Sequence, residues 1–109
     1  MKKIAQVYRL KPGKKEEYIK AHQEIWPEML ALLKQAGCRE MTIFLRRDML
    51  FMVAEVDDPG TFNRVVNASP VNKRWQAWMA DLLERPFDDE EAGIFADLEE
   101  IWHFDASEV

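Results

Sequence analysis

The residues best suited to chemistry stand in one short run, Tyr18-x3-His22-x3-Trp26-Pro27-Glu28. On a helix, positions i, i+4 and i+8 share a face, so this spacing offers phenol, imidazole and indole as a stacked row. Imidazole near its ordinary pKa can give or take a proton at neutral pH, and a phenol one turn away can orient it or bond a ligand hydroxyl. Pro27 removes a backbone donor and clashes with the carbonyl of Gln23, so a kink is expected one turn past the histidine, where a pocket can open. By spacing alone, a histidine among aromatics is more often a packed structural residue. Tyr18 on one side and the proline on the other are what point to a site.

Two further positions belong with this run. Trp75 lies between Arg74 and Gln76, and an indole face can stack on the C–H face of a sugar while polar neighbours take its hydroxyls. Trp78, one helical turn on, reads as packing core. Glu100, in the apolar segment Leu98–Phe104, is either an edge charge or a pocket carboxylate.

Other chemistries find little support. His103 is the only other histidine, and no His-x3-His or Cys-x2-Cys spacing offers a metal site. A lone cysteine, Cys38, cannot make an internal disulfide, and nothing in the sequence ties it to His22 as a nucleophile. It reads as a small buried filler. No glycine-rich phosphate loop occurs, so a nucleotide cofactor is not expected.

The elements that must position these residues follow from periodicity. Ile4–Leu10 reads as a first strand, ended by Lys11-Pro12-Gly13. From Lys14 to Ala36 the pattern is helical, with Gly37 as its stop. Met41–Leu45 and Met49–Val56 read as an antiparallel hairpin around Arg46-Arg47-Asp48. The second of these strands is apolar in both phases, so both of its faces are expected to be covered. Asp58 is placed to cap a short helix from Pro59 through Val66. Ser69-Pro70 opens another, Val71–Leu83, then come an extended acidic loop (Arg85–Ala96), a last strand (Leu98–Phe104) and a frayed tail. The order β-α-β-β-α-β predicts an α+β, ferredoxin-like domain spanning residues 1–109, with four antiparallel strands and helices on one face. The bare face predicts a second copy packed against it, a homodimer.

With 15 Lys+Arg against 20 Asp+Glu, the net charge of −5 argues against nucleic acid as a partner. The early polar residues Gln6 and Arg9 interrupt any secretory h-region after Lys2-Lys3, and no stretch approaches a membrane span, so a cytoplasmic protein is expected. Four tryptophans and six phenylalanines are many for this length, as a ligand site or subunit interface would require.

Taken together, Tyr18-x3-His22-x2-Ile25-Trp26-Pro27-Glu28, Gly37, Leu50-Phe51, Pro70-Val71-x2-Arg74-Trp75-x3-Met79 and Leu98-x-Glu100-Ile101 resemble the L-rhamnose mutarotase family from about Lys2 to Phe104. The resemblance implies a dimeric α+β barrel that interconverts the anomers of a 6-deoxyhexose without cofactor. It implies His22 as the proton donor, with Tyr18 and Trp75 in the sugar site. Two positions depart from the family pattern. Met41 stands where a substrate-contacting tyrosine is typical, and Gln76 where a second tryptophan is frequent. Both bear on which monosaccharide is taken, and relatives of this type act on L-fucose as well as L-rhamnose. Two readings of other classes stay open: a sugar- or metabolite-binding module without catalysis, and a cofactor-independent monooxygenase or haem-handling enzyme of the same fold.

Overall fold

In a computed structural model that describes residues 2–87 and 93–108, the chain runs β1 (Lys2–Leu10), α1 (Lys15–Gln23), α2 (Pro27–Gln35), β2 (Cys38–Arg46), β3 (Met49–Val56), α3 (Pro59–Ala68), α4 (Pro70–Ala80), β4 (Leu83–Glu84) and β5 (Ala96–Asp97), then a 3-10 turn, Ala106–Glu108. The sheet order is β2-β3-β1-β4, with β5 also on β1 and every pairing antiparallel. This is the expected βαββαβ arrangement, with two helices filling each helical position.

Alternation places Ile4, Gln6 and Tyr8 of β1 on the same face as Leu50, Met52 and Ala54 of β3. Met41, Ile43 and Leu45 of β2 extend that face. Against it pack Tyr18 and Ala21 from α1, Met29 and Leu32 from α2, Phe62 from α3 and Trp75 and Met79 from α4. This single layer of helices is why the site lies between sheet and helices. On the other face Phe44, Phe51 and Val53 stay exposed, so within one chain β3 is covered on one side only.

Three expectations need correction. The run Lys14–Ala36 is two helices. Glu24–Trp26 breaks it, Trp26 is extended (ψ 133°), and Pro27 takes the first helical position of α2, where a missing N–H removes no hydrogen bond. Pro27 therefore starts a helix instead of kinking one. Gly37 ends α2 as expected, with φ +86° and Asp57 close enough to crowd any Cβ.

The second correction is the last strand. Leu98–Phe104 is not a strand: the free edge of β1 is paired by the two short pieces β4 and β5. After Leu98 donates its N–H to the Ala5 carbonyl, the segment leaves the sheet, with Ile101 89% and Trp102 77% exposed. Its apolar alternation suits a strand, but beyond Leu98 it pairs with no strand among the described residues. The third is Cys38, which opens β2 and is half-buried at the core margin, its thiol raised above the ordinary pKa by partial burial.

Caps follow the sequence closely. Asp58 accepts from the Thr61 N–H at 2.9 Å, and Ser69 accepts from the Val71 N–H at 3.2 Å. The hairpin turn is a two-residue loop with Arg47 left-handed at φ +56°. Part of the expected acidic loop, residues 88–92, lies outside the described residues, as does Val109 of the expected tail. Residues 106–108 of that tail form the 3-10 turn.

Candidate active site

Between the sheet and the helices lies a cavity of about 430 Å³, within the range of small-molecule sites. His22, Tyr18, Trp75, Gln76 and Met41 all line it, although they come from α1, α4 and β2. The break between α1 and α2 leaves His22 in the last turn of α1, half-buried at the cavity wall.

His22 is held in one tautomer. Its Nδ1 lies 2.9 Å from the Tyr18 carbonyl oxygen, which can only accept, so Nδ1 carries the proton. Nε2 then keeps its lone pair and has no hydrogen-bond partner among the described residues. Burial pushes the imidazole below its ordinary pKa, with the Tyr18 carbonyl opposing, so the neutral ring dominates at pH 7. Tyr18 lies beside it with ring centroids 4.3 Å apart. Its phenol is pushed far above the ordinary value by burial, so it stays protonated and works as a hydrogen-bonding hydroxyl.

Trp75 meets His22 edge-on at 5.3 Å and is only 5% exposed. Trp26, expected to continue the stacked row, is turned away by the helix break and packs outside the cavity. It meets Trp75 at 5.2 Å and stacks on Trp78 at 6.0 Å, with the Arg74 guanidinium 5.9 Å over its ring. Trp26 thus buttresses the wall that Trp75 forms. Trp78 is half-buried and donates its indole N–H to Glu17 at 2.9 Å. Glu100 is not brought to this cavity; it lies on a separate exposed surface, 3.8 Å from His103.

Several lining residues were passed over in the sequence. Gln6 and Tyr8 share the inward phase of β1 with Ile4, and polar atoms recurring on an apolar phase were the available sign. Asn63 and Asn67, one turn apart on α3, rim the opening. Asn72 on α4 is buried and accepts from Gln76 at 3.4 Å. The remaining walls are apolar, including Ile25, Met29, Ile43 and Met52. A lining that mixes carboxamides with hydrocarbon suits a small polyol that also carries an apolar group. Among the described residues no cluster of His, Cys, Asp and Glu is placed to hold a metal ion, and no helix is long and apolar enough to cross a membrane.

Comparison with known proteins identifies the family. Residues 3–104 match the L-rhamnose mutarotase family model. The L-rhamnose mutarotase of Mesorhizobium japonicum is 40% identical over 103 residues, covering 93% of this chain and 95% of the relative. That of Oceanobacillus iheyensis is 34% identical over 107 residues, covering 96% and 100%. The crystal structure of an L-rhamnose mutarotase from Formosa agariphila superposes with a TM-score of 0.77 at 26% identity, over 96% of this chain and 100% of that one. A tetracenomycin F2 cyclase from Streptomyces glaucescens shares the fold at a TM-score of 0.70 and 18% identity, over 97% and 99%. With residues 3–104 matched by the family model and a relative 40% identical over nearly its whole length, this chain belongs to the L-rhamnose mutarotase family.

Proposed function

We propose that this protein interconverts the α and β anomers of a 6-deoxyhexose, L-rhamnose first, with His22 as its catalytic residue. The observation that carries the reading is the state of His22: neutral, fixed with its proton on Nδ1, and with Nε2 unengaged beside the cavity.

Mutarotation requires a proton to leave the anomeric hydroxyl, O1, and another to reach the ring oxygen, O5. Both oxygens are bonded to C1, so a single imidazole nitrogen can serve both. Nε2 takes the O1 proton, the freed electron pair forms the C1–O1 double bond, and the C1–O5 bond breaks. The imidazolium then gives the proton to O5, which restores neutral His22 and leaves an open hydroxy-aldehyde. Rotation about C1–C2 and the reverse steps close the ring on the other face. His22 is thus base first and proton donor second, and the route needs no cofactor. General acid–base catalysis of this kind contributes about 10²–10⁴-fold, which suits a reaction that already proceeds in water.

Tyr18 supplies a hydroxyl beside the reacting oxygens, and Trp75 an indole for the sugar's C–H face. Gln76, Asn72 and the rim asparagines take hydroxyls, while Met41 and the apolar wall accept the C5 methyl group. Trp26 acts from behind Trp75. Glu100 has no part in this single-chain site.

The same reading includes a homodimer formed through the open sheet face, supported by the exposure of Phe44, Phe51 and Val53 and by the unpaired apolar segment after Leu98. A reducing cytoplasm suits the free thiol of Cys38.

Saturation-transfer NMR between anomeric protons tests the proposal. The protein is expected to accelerate exchange in L-rhamnose more than in L-fucose. Faster exchange in L-fucose would reassign the sugar. No acceleration in either, from folded protein, would overturn the catalytic reading in favour of a binding module.

A further inference from the structure

The cavity is lined by the carboxamides of Gln6, Asn63, Asn67, Asn72 and Gln76 and, among the described residues, by no Asp, Glu, Lys or Arg. Such a lining suits an uncharged ligand, because a charge taken into it would find no opposite charge. One of these carboxamides is held in a way the others are not. Gln6 lies within β1, opposite Met52 of β3 on one side and Asp97 of β5 on the other. Cross-strand partners share a face of the sheet, so Gln6 and Asp97 both stand on the helix side. Gln6 Nε2 donates to Asp97 Oδ1 at 3.0 Å. Beside it, the Leu98 N–H donates to the Ala5 carbonyl at 2.9 Å and keeps β5 in register.

That bond decides what Gln6 can offer. A carboxamide has a donor end and an acceptor end, and a neutral partner can take either. An ionised carboxylate only accepts, so Asp97 takes the donor end. Oε1 is left as an acceptor with no hydrogen-bond partner among the described residues. The Asn72–Gln76 pair, joined at 3.4 Å, lacks this constraint, since two carboxamides can exchange roles by turning together. The carboxylate also polarises the amide it binds, which strengthens Oε1 as an acceptor. Asp97 itself is outside the cavity lining and exposed, so its charge stays in water. A carboxylate inside the cavity would raise the His22 pKa, against the neutral ring that begins the reaction.

We propose that Gln6 is a specificity-determining residue: its Oε1 accepts from one hydroxyl on C2, C3 or C4 of the sugar, and Asp97 is the positioning residue that keeps this oxygen toward the ligand. This rests on the mutarotase reading of the site. O1 and O5 stay with His22, so Gln6 selects the sugar without moving a proton.

The test is a cycle between protein and substrate on the full chain. Anomer exchange is read by saturation-transfer NMR for L-rhamnose and for its analogues with fluorine in place of the hydroxyl on C2, C3 or C4. Fluorine cannot donate a hydrogen bond. For one of the three analogues, the loss in kcat/KM relative to L-rhamnose is expected to be about tenfold larger in the wild type than in Gln6→Met, the scale of one hydrogen bond. The other two should lose alike in both proteins. Equal losses for all three would overturn the proposal and leave Gln6–Asp97 a cross-strand fastening. Asp97→Ala is expected to shrink the same loss about threefold, and Asp97→Asn, which can still accept from Nε2, to restore it. An unchanged loss in Asp97→Ala would overturn the positioning role. If Gln6→Met fails to fold, Asp97→Ala, at an exposed position, carries the test, and an unchanged loss there overturns the whole proposal. A wild-type protein that accelerates nothing refutes the mutarotase reading itself, whereas an active wild type with uncoupled losses refutes only the role of Gln6.

Discussion

β2 and β3 present two faces that differ in what they leave undone. On the helix side, Met41, Ile43, Leu50 and Met52 meet α1–α4, and the contact opens into a cavity lined by Tyr18, His22 and Trp75. No buried side-chain nitrogen or oxygen among the described residues lacks a hydrogen bond. On the opposite side, Phe44 and Phe51 sit directly across the β2–β3 ladder, 59% and 37% exposed, beside Val53. The first face is complete within one chain except for a ligand. The second carries apolar side chains that the described residues leave exposed. The proposed chemistry and the proposed association thus lie on opposite faces of the same two strands, and substitutions should separate them.

The largest effect is expected on the closed face. His22→Gln keeps a polar side chain of similar reach but cannot cycle a proton, so anomer exchange should fall by about 10²–10⁴-fold. Circular dichroism and sedimentation should match the wild type. Unchanged exchange per folded molecule would make His22 a packing residue and remove the basis of the comparison.

A smaller effect is expected on the open face. Phe51→Lys places a charge where the proposed dimer buries a ring opposite Phe44, and should raise the dimer dissociation constant by roughly a hundredfold, the scale of a hot-spot residue. Sedimentation velocity across a dilution series would read it. If mass is unchanged and the wild type is itself a monomer, that face is simply exposed apolar surface and the dimer reading fails. A monomeric Phe51→Lys variant that retains exchange would sharpen the comparison, since it would place a complete site within one chain.

What could be read from the sequence divides along similar lines. Tyr18, His22 and Trp75 were legible because helical periodicity and side-chain chemistry are local, and the strand order followed from the succession of patterns. Trp26 was misplaced because Pro27 permits two outcomes, a kink or a new start, and spacing does not distinguish them. Tyr8 and Asn72 were missed because their significance comes from a cavity that only the assembled sheet and helices enclose. Glu100 was drawn into the site by a strand pattern at Leu98–Phe104 that is real as alternation but lacks a partner edge here. Local rules paired His22 with Tyr18 on one helix; the cavity beside them comes from tertiary contact.

The smallest effect concerns what enclosing His22 does to stability. Its folded pKa lies below the ordinary value, so below about pH 6.5 the unfolded chain takes up a proton that the folded site resists. Proton uptake then favours unfolding. The contribution of His22 is intact near pH 7.5 and declines as the pH falls, levelling off once the folded imidazole itself is protonated. Tyr18, hydrogen-bonded to it through its backbone carbonyl and with its ring tilted against the imidazole, keeps its phenol neutral throughout and adds nothing to this window. Asp58 and Asp105, whose pKa values are lowered by hydrogen bonds from Thr61 and Ser107, act in a more acidic range. The melting temperature of the wild type should therefore fall more between pH 7.5 and pH 5.5 than that of His22→Gln, because only the wild type carries this proton uptake. The acid limb of kcat/KM should report the same depressed pKa, since the neutral ring is the form that begins the reaction. Parallel melting curves for the two proteins would mean that His22 titrates alike folded and unfolded. The imidazole would then be open to water, and the enclosure that distinguishes this face from the other would not extend to its reacting group.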